Sequence, residues 1–281
     1  MGIAAPWAMP ISAHGQLYVS RFDTATQTEG VGKYDASTGA VINADFITGL
    51  GLVTGIALSG NHLFVASTVG GNGFAIGKYN ATTGTAINAN FITASLSFSG
   101  IAVKGNHLFV AYLTPVNGAG VREYDATTGD LLNANFITGP MEIPDALLVS
   151  GNKLFLGAGD QVSEYNASTG TATNLDFITT PPVIFATVQG LAVKGNHFFV
   201  SFGSRQYGGG GVGEYNATTG AAINTTFITG DGMVGLAVTG NHLFVTVFHV
   251  GAVGEYNAAT GAAINTSFIT GVDVPVAIAI R

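Results

Sequence analysis

Tyr34-Asp-Ala-Ser-Thr-Gly39 returns five more times along the chain with almost the same residues. The copies are Tyr79-Asn-Ala-Thr-Thr-Gly84, Tyr124-Asp-Ala-Thr-Thr-Gly129, Tyr165-Asn-Ala-Ser-Thr-Gly170, Tyr215-Asn-Ala-Thr-Thr-Gly220 and Tyr256-Asn-Ala-Ala-Thr-Gly261. A phenylalanine stands seven residues after each closing glycine: Phe46, Phe91, Phe136, Phe177, Phe227 and Phe268. The tyrosines are 45, 45, 41, 50 and 41 residues apart. A period in this range marks a chain built of repeated supersecondary units, none of which buries its apolar face alone.

One unit, residues 55–93, reads as four short strands. Gly55-Ile-Ala-Leu58 is apolar and small (strand a). Gly60-Asn61 is a two-residue hairpin signal. His62-Leu-Phe-Val-Ala66 is strand b, and Phe74-Ala-Ile-Gly-Lys-Tyr79 is strand c. Asn80-Ala-Thr-Thr-Gly84 is a turn, because the Asn side chain caps backbone two residues on and Gly supplies positive φ. Ala86-Ile-Asn-Ala-Asn-Phe-Ile92 is strand d. No segment sustains a 3.6-residue period, and turns recur every 8–12 residues. Four antiparallel strands per unit of 41–50 residues predict an all-β, six-bladed β-propeller.

Small residues recur at strand a, nearest the axis, in Gly55-Ile-Ala57, Gly100-Ile-Ala102, Gly190-Leu-Ala192 and Gly235-Leu-Ala237. The six phenylalanines of strand d are expected to wedge between blades. Pro275-Val-Ala-Ile-Ala-Ile280 matches strand a once more, after the sixth c–d pair. It is therefore expected to complete the first blade, whose b, c and d strands begin at Gln16, and so to close the ring and remove its open edges. Residues 7–13 compete for that slot, and the C-terminal segment matches the other a-strands better. The organisation expected is an N-terminal segment, 1–15, and one propeller, 16–281. Residues 1–13 fit either the remnant of a signal peptide's apolar region or an extra strand.

Composition narrows the function classes. Nine Lys and Arg against sixteen Asp and Glu give a net charge of −7 in 281 residues, so the basic footprint of a nucleic-acid binder is missing. No stretch approaches the ~18 apolar residues of a membrane-spanning helix. With no cysteine there is no disulfide and no thiolate chemistry.

The units Gly-Asn-His-Leu-Phe-Val (60–65, 105–110, 240–245), Gly-Glu-Tyr-Asn-Ala-Thr-Thr-Gly (213–220) and Ala-Ile-Asn-x-x-Phe-Ile-Thr-Gly (222–230) resemble the NHL-type propeller repeats of exported bacterial proteins of the PEP-CTERM class. The resemblance covers nearly the whole chain. It implies a secreted or cell-surface location in a bacterium and an extracellular-matrix role. It carries over no shared catalytic site, and the short Pro-Glu-Pro sorting tail of that class does not follow Arg281 in this sequence.

In a propeller the a–b and c–d turns share one face, and here they hardly vary between copies. The b–c and d–a loops share the other face, and there the copies disagree: 21–30, 68–73, 112–120, 201–211, and around Met141 and Pro181. Function is expected on that variable face. Its aromatics, Trp7, Phe98, Tyr112, Phe185, Tyr207 and Phe248, read as exposed. Tyr112, Phe185, Arg205, Tyr207, Phe248 and His249 are the candidate ligand-binding residues, for stacking on sugars or anchoring a protein. Glu142, Asp145, Asp231 and Asp273 cluster near the expected channel mouth and are the candidate ligands for Ca²⁺ or Mg²⁺, should they converge; no other cofactor is called for. His62, His107, His197 and His242 share one repeat position, which Gln16 and Lys153 fill elsewhere, so they read as scaffold rather than as a zinc ring. Asn80, Asn166 and Asn216 match the glycosylation sequon, but Asp35 and Asp125 fill the same slot, so the shared need is turn capping.

The function expected is a non-catalytic binding or scaffold module with a protein or polysaccharide partner, leaning away from an enzyme because no nucleophile–base pair is evident. A metal-dependent lactonase- or lyase-like hydrolase, with an acidic site at the channel mouth and His249 as base, is the alternative. Few charges and many Thr and Asn also suit a self-associating matrix component.

Overall fold

The computed structural model describes residues 15–69, 73–114, 118–139, 142–180, 187–203 and 209–281. The first blade holds β1 (Gln16–Asp23), β2 (Thr28–Asp35) and β3 (Val41–Leu50). The second holds β4 (Val53–Ser59), β5 (His62–Val69), β6 (Gly73–Asn80) and β7 (Ala86–Ala94). The third is β8 (Ser97–Lys104), β9 (His107–Thr114), β10 (Gly118–Asp125) and β11 (Leu131–Gly139). The fourth is β12 (Pro144–Ser150), β13 (Lys153–Ala158), β14 (Gln161–Asn166) and β15 (Ala172–Thr179). The fifth is β16 (Thr187–Lys194), β17 (His197–Gly203), β18 (Gly210–Asn216) and β19 (Ala222–Thr229). The sixth is β20 (Met233–Thr239), β21 (His242–Val247), β22 (Ala252–Asn257) and β23 (Ala263–Thr270), and β24 (Ile278–Ile280) ends the chain.

Each blade is a four-stranded antiparallel sheet, and β24 joins β1 as the innermost strand of the first. The fold is the six-bladed propeller that the repeat predicts. The closing strand is shorter than the six residues expected. Strand β24 pairs over Ile278–Ile280, opposite Val19, Tyr18 and Leu17, with Arg281 and Gln16 exchanging backbone hydrogen bonds beyond it. Upstream, Val276 N and Ala277 N donate instead to the Ser20 hydroxyl, at 2.9 and 3.0 Å. Asp273 and Val274 take φ of +34° and +43°, so the backbone bends there and cannot hold a strand register.

The apolar core is divided among the seams. Among the described residues six buried clusters occur, each shared by two neighbouring blades. The sixth-to-first seam joins Phe244, Val253 and Phe268 to Leu17, Val19 and Tyr34. Each strand-d phenylalanine packs on an aromatic of its own blade's second strand, with centroids 5.1–5.8 Å apart, as in Phe136 on Phe109 and Phe268 on Phe244. The phrase that repeats builds the next contact. The Asp35 carboxylate accepts from Ser37 N and Thr38 N at 2.9 and 3.0 Å, and the Asn or Asp of every copy does the same. This turn brings its glycine, at φ near +70° in Gly39, against the strand-d phenylalanine of the preceding blade.

In strand d, Asn43 Oδ1 accepts from Asp45 N, and the equivalent asparagine folds back likewise in all six copies. The resulting bulge turns the phenylalanine inward and breaks up an otherwise open outer edge.

The conserved-looking turns do share a face: Ala81 N donates to Asn61 O and Ala126 N to Asn106 O, tying each c–d turn to its a–b turn. The histidines at the start of the second strands lie there. His107, His197 and His242 reach Glu123, Glu214 and Glu255 of the adjacent strand at 2.5–2.7 Å and stack on Phe109, Phe199 and Phe244, while Lys153 pairs with Glu164 at 2.7 Å. Where the first two blades carry Lys33 and Lys78 in place of the glutamate, the ammonium crosses the seam to carbonyls of the next turn: Ala81 and Thr82, Ala126 and Thr127.

Candidate functional site at the channel mouth

The six innermost strands put one small residue each beside the axis, as in Gly55, Gly100 and Gly190, and leave a channel of only about 90 Å³. The residue before that small one stands at the end of the channel on the variable face. Along the ring these are Thr54, Ser99, Asp145, Gln189, Val234 and Val276, so one position of the repeat changes character from copy to copy. All but Val234 line a wider cavity of about 480 Å³ above the channel. Glu29, Phe74, Phe98, Ser97 and Phe248 complete its described wall with Leu52, Val53 and Val274. Every blade thus contributes to one site.

Glu29 stands at the start of β2, where the first blade's b–c loop ends. Its side chain crosses the seam, and Oε2 accepts from Val53 N at 2.6 Å. The residue is only 8% exposed, and burial pushes its carboxyl up to about 7, against the lowering pull of that hydrogen bond. Among the described residues Gln189 Oε1 is a buried acceptor without a partner, while Gln189 Nε2 donates to Thr187 Oγ1. The charged residues of the described wall, Glu29 and Asp145, are both acidic. Phe74 and Phe98 meet edge to face at 6.2 Å, and Phe248 faces the cavity from the sixth blade. The wall therefore offers acceptors, hydroxyls and aromatic surface.

The structure brings together only part of the site expected from sequence. Asp145 and Phe248 line the cavity. His249 stands beside it on the outer face, with Nδ1 3.3 Å from Asp231 Oδ2. Glu142 lies against Gly159, and Asp273 against Gly251. Among the described residues no three His, Asp or Glu side chains converge as a metal would need, because these carboxylates are spread over separate loops. Phe98 and Tyr112 are not the exposed aromatics expected. Phe98 is 1% exposed, packed in the seam between the second and third blades with only part of its surface reaching the cavity. Tyr112 is 8% exposed beneath the Arg122 guanidinium, 5.0 Å from its ring. Trp7, Phe185, Arg205 and Tyr207 lie outside the described residues. Glu29 and Gln189 were missed. A signal for Gln189 exists, since it precedes Gly190-Leu-Ala192 as Thr54 and Ser99 precede their own copies. Glu29 has none, because its burial depends on Val53 of the neighbouring blade.

The LVIVD repeat family matches residues 50–76, which span β4, β5 and the start of β6. That match supports a repeat-built propeller. No curated protein matches. Solved structures with a similar fold include a chain of a nidogen/laminin complex (TM-score 0.68, 11% identity, covering 95% of this chain and 98% of that one). A putative 6-phosphogluconolactonase from Bacteroides fragilis gives 0.63 at 12% identity, over 97% of this chain and 99% of that one. The computationally designed protein Ika8 gives 0.53 at 18% identity, over 89% and 73%. At such identities the likeness is one of fold.

Proposed function

We propose that the protein is an exported, non-catalytic binding propeller that takes an extracellular polysaccharide at the mouth of its channel. The observation that supports this most is the cavity above the channel, which every blade lines, five of the six at the repeat position where the copies disagree. Aromatic surface beside hydroxyl and amide groups suits a sugar, whose rings present apolar faces and hydroxyl edges. Export and a bacterial surface location rest on the repeat resemblance. The test is binding to a panel of soluble polysaccharides by calorimetry, with Gln189→Ala and Phe248→Ala as site variants. Binding that falls at least ~10-fold in either variant with melting unchanged supports the assignment. Equal binding by both variants, or a panel with no binder, refutes it.

A hydrolase is the second reading, favoured by the protonatable Glu29 and by Asp145 in one cavity. The propeller from Bacteroides fragilis is described as a putative 6-phosphogluconolactonase. The described wall has no lysine or arginine to receive a phosphate, so the substrate to try is a neutral lactone, with and without Ca²⁺ or Mg²⁺. Turnover lost in Glu29→Gln would establish it.

A further inference from the structure

Arg122 breaks the repeat. It stands on β10 two residues before Tyr124, where the first, second, fifth and sixth blades carry Gly32, Gly77, Gly213 and Gly254. In those blades the tyrosine two residues on lies across the glycine, so close that a Cβ would overlap its ring. Arg122 instead holds its guanidinium 5.0 Å from the centre of the Tyr112 ring, in the seam between the second and third blades. The register explains the meeting: Arg122 is opposite Val110, so it shares a sheet face with Val110 and with Tyr112 two residues on. Arg122 Nε is buried and has no partner. Among the described residues nothing hydrogen-bonds or ion-pairs with the Arg122 guanidinium or with the hydroxyl of Tyr112, a residue only 8% exposed. The aromatic ring attracts the charge but accepts none of these N–H bonds. Desolvated donors without acceptors are costly, and a ligand that brings acceptors removes that cost.

We propose that Arg122 and Tyr112 form a carboxylate site on this seam, separate from the cavity at the channel mouth, and that it holds the carboxylate of a uronic acid unit. The saccharide half of this assignment rests on the polysaccharide role proposed above; the carboxylate half rests on these two side chains. Both are donors. The guanidinium presents a planar fork that meets both oxygens of a carboxylate, and the phenol O–H adds a further bond. A carboxylate carries a single charge, which a chain of net charge −7 repels less than a doubly charged phosphate. Tyr112 is the cross-strand partner of Phe98, which lines the cavity. Phe98, Tyr112 and Arg122 stand on three successive strands of the third blade, so the strand of Arg122 is about 10 Å outward of that of Phe98. One saccharide chain thus reaches both places, with a neutral unit at the channel mouth and a uronate at the seam.

Calorimetry at about pH 7, where a carboxyl of ordinary acidity is ionised, tests this with α-1,4-linked trigalacturonate and its methyl ester, which keeps the rings and loses the charge. The acid is expected to bind at least ~10-fold more tightly than the ester, and to weaken as salt is added. Arg122→Gly supplies the residue that four other blades carry, so it is expected to melt as wild type and to bind the acid no better than the ester. Arg122→Lys keeps the charge without the fork and is expected to lose several-fold in affinity. Tyr112→Phe keeps the ring without the hydroxyl and is expected to lose a few-fold. Equal binding of acid and ester, or unchanged trigalacturonate binding in Arg122→Gly, overturns the site. If Arg122→Gly does not fold, Arg122→Lys and Tyr112→Phe carry the test, and unchanged binding in both overturns it. A triglutamate peptide that binds as tightly as trigalacturonate overturns the saccharide half. Failure of every probe overturns the carboxylate site, and Gln189→Ala and Phe248→Ala on the polysaccharide panel decide the channel-mouth role separately.

Discussion

The carbonyl oxygen of Phe268 occupies the place where a side chain on Gly39 would stand, although the two residues are at opposite ends of the chain. The same contact joins Gly84 to Phe46, Gly129 to Phe91, Gly170 to Phe136, Gly220 to Phe177 and Gly261 to Phe227. The repeated phrase and the repeated phenylalanine are thus two halves of one seam, and Gly39 with Phe268 is the copy that closes the ring. Gly39→Ala meets left-handed backbone strain, about 1–2 kcal/mol, and an overlap with backbone that costs about 1–3 kcal/mol more. Gly49, at φ +73° with open space around its Cβ position, is the control, and Gly49→Ala is expected to show the strain alone. Equal destabilisation of the two in chemical denaturation would remove the seam from the explanation.

Phe136 is buried against Phe109, with centroids 5.1 Å apart. Phe136→Ala is expected to lose about 3–5 kcal/mol of stability, as large aromatic truncations in close-packed cores do. A melt close to wild type contradicts this packing.

Lys78 is buried and donates to Ala126 O at 2.8 Å and Thr127 O at 3.3 Å across a seam, with Phe64 and Phe91 beneath it. Lys78→Met keeps much of the stem but leaves the carbonyls unpaired, at a cost of about 1–3 kcal/mol. Hydrogen exchange of the 125–129 turn is expected to rise in the variant, and unchanged protection there counts against the bridge.

Glu29 links stability to pH. Its carboxyl is raised in the fold from 4.5 to about 7 by burial, so the folded protein favours the protonated form. A raised pKa contributes stability that is present in full below the unfolded value and is lost as pH rises through the folded one. Melting temperature is therefore expected to fall between about pH 4.5 and pH 7, by an amount on the order of 3 kcal/mol in free energy. Glu29→Gln should flatten the slope over that window; an identical profile in the variant rules out Glu29 as its source.

A chain ending at Gly271 lacks β24 and the Val276 and Ala277 amides that cap Ser20. The first blade is then left with an open inner edge, so large destabilisation and concentration-dependent association are expected, read by melting and light scattering. Monomeric protein melting as wild type would mean that another segment seals the ring.

Much of the fold was legible because its instructions are local. The Asn80 or Asp35 turn cap and the left-handed glycine after it act within five residues, so each copy can be read alone. Ring closure was legible because Ile278-Ala-Ile280 repeats the pattern of other a-strands. The bend at Asp273 and Val274 was not, since it arises where the closing segment meets Ser20 from the other end of the chain. The exposure of Phe98 and Tyr112 was misjudged for a related reason: a residue at a loop-facing strand end lies open or buried according to the blade packed beside it.

The sequence by itself therefore determined the number of blades, the strand order, the turn chemistry and which face varies, since these follow from short-range patterns repeated six times. Only the tertiary structure decided what stands at the channel mouth. Thr54, Ser99, Asp145 and Gln189 are 44–46 residues apart in sequence and become one wall when the blades close around an axis. Glu29 acquires its raised pKa from desolvation by a neighbouring blade, an effect of enclosure that its own strand does not encode.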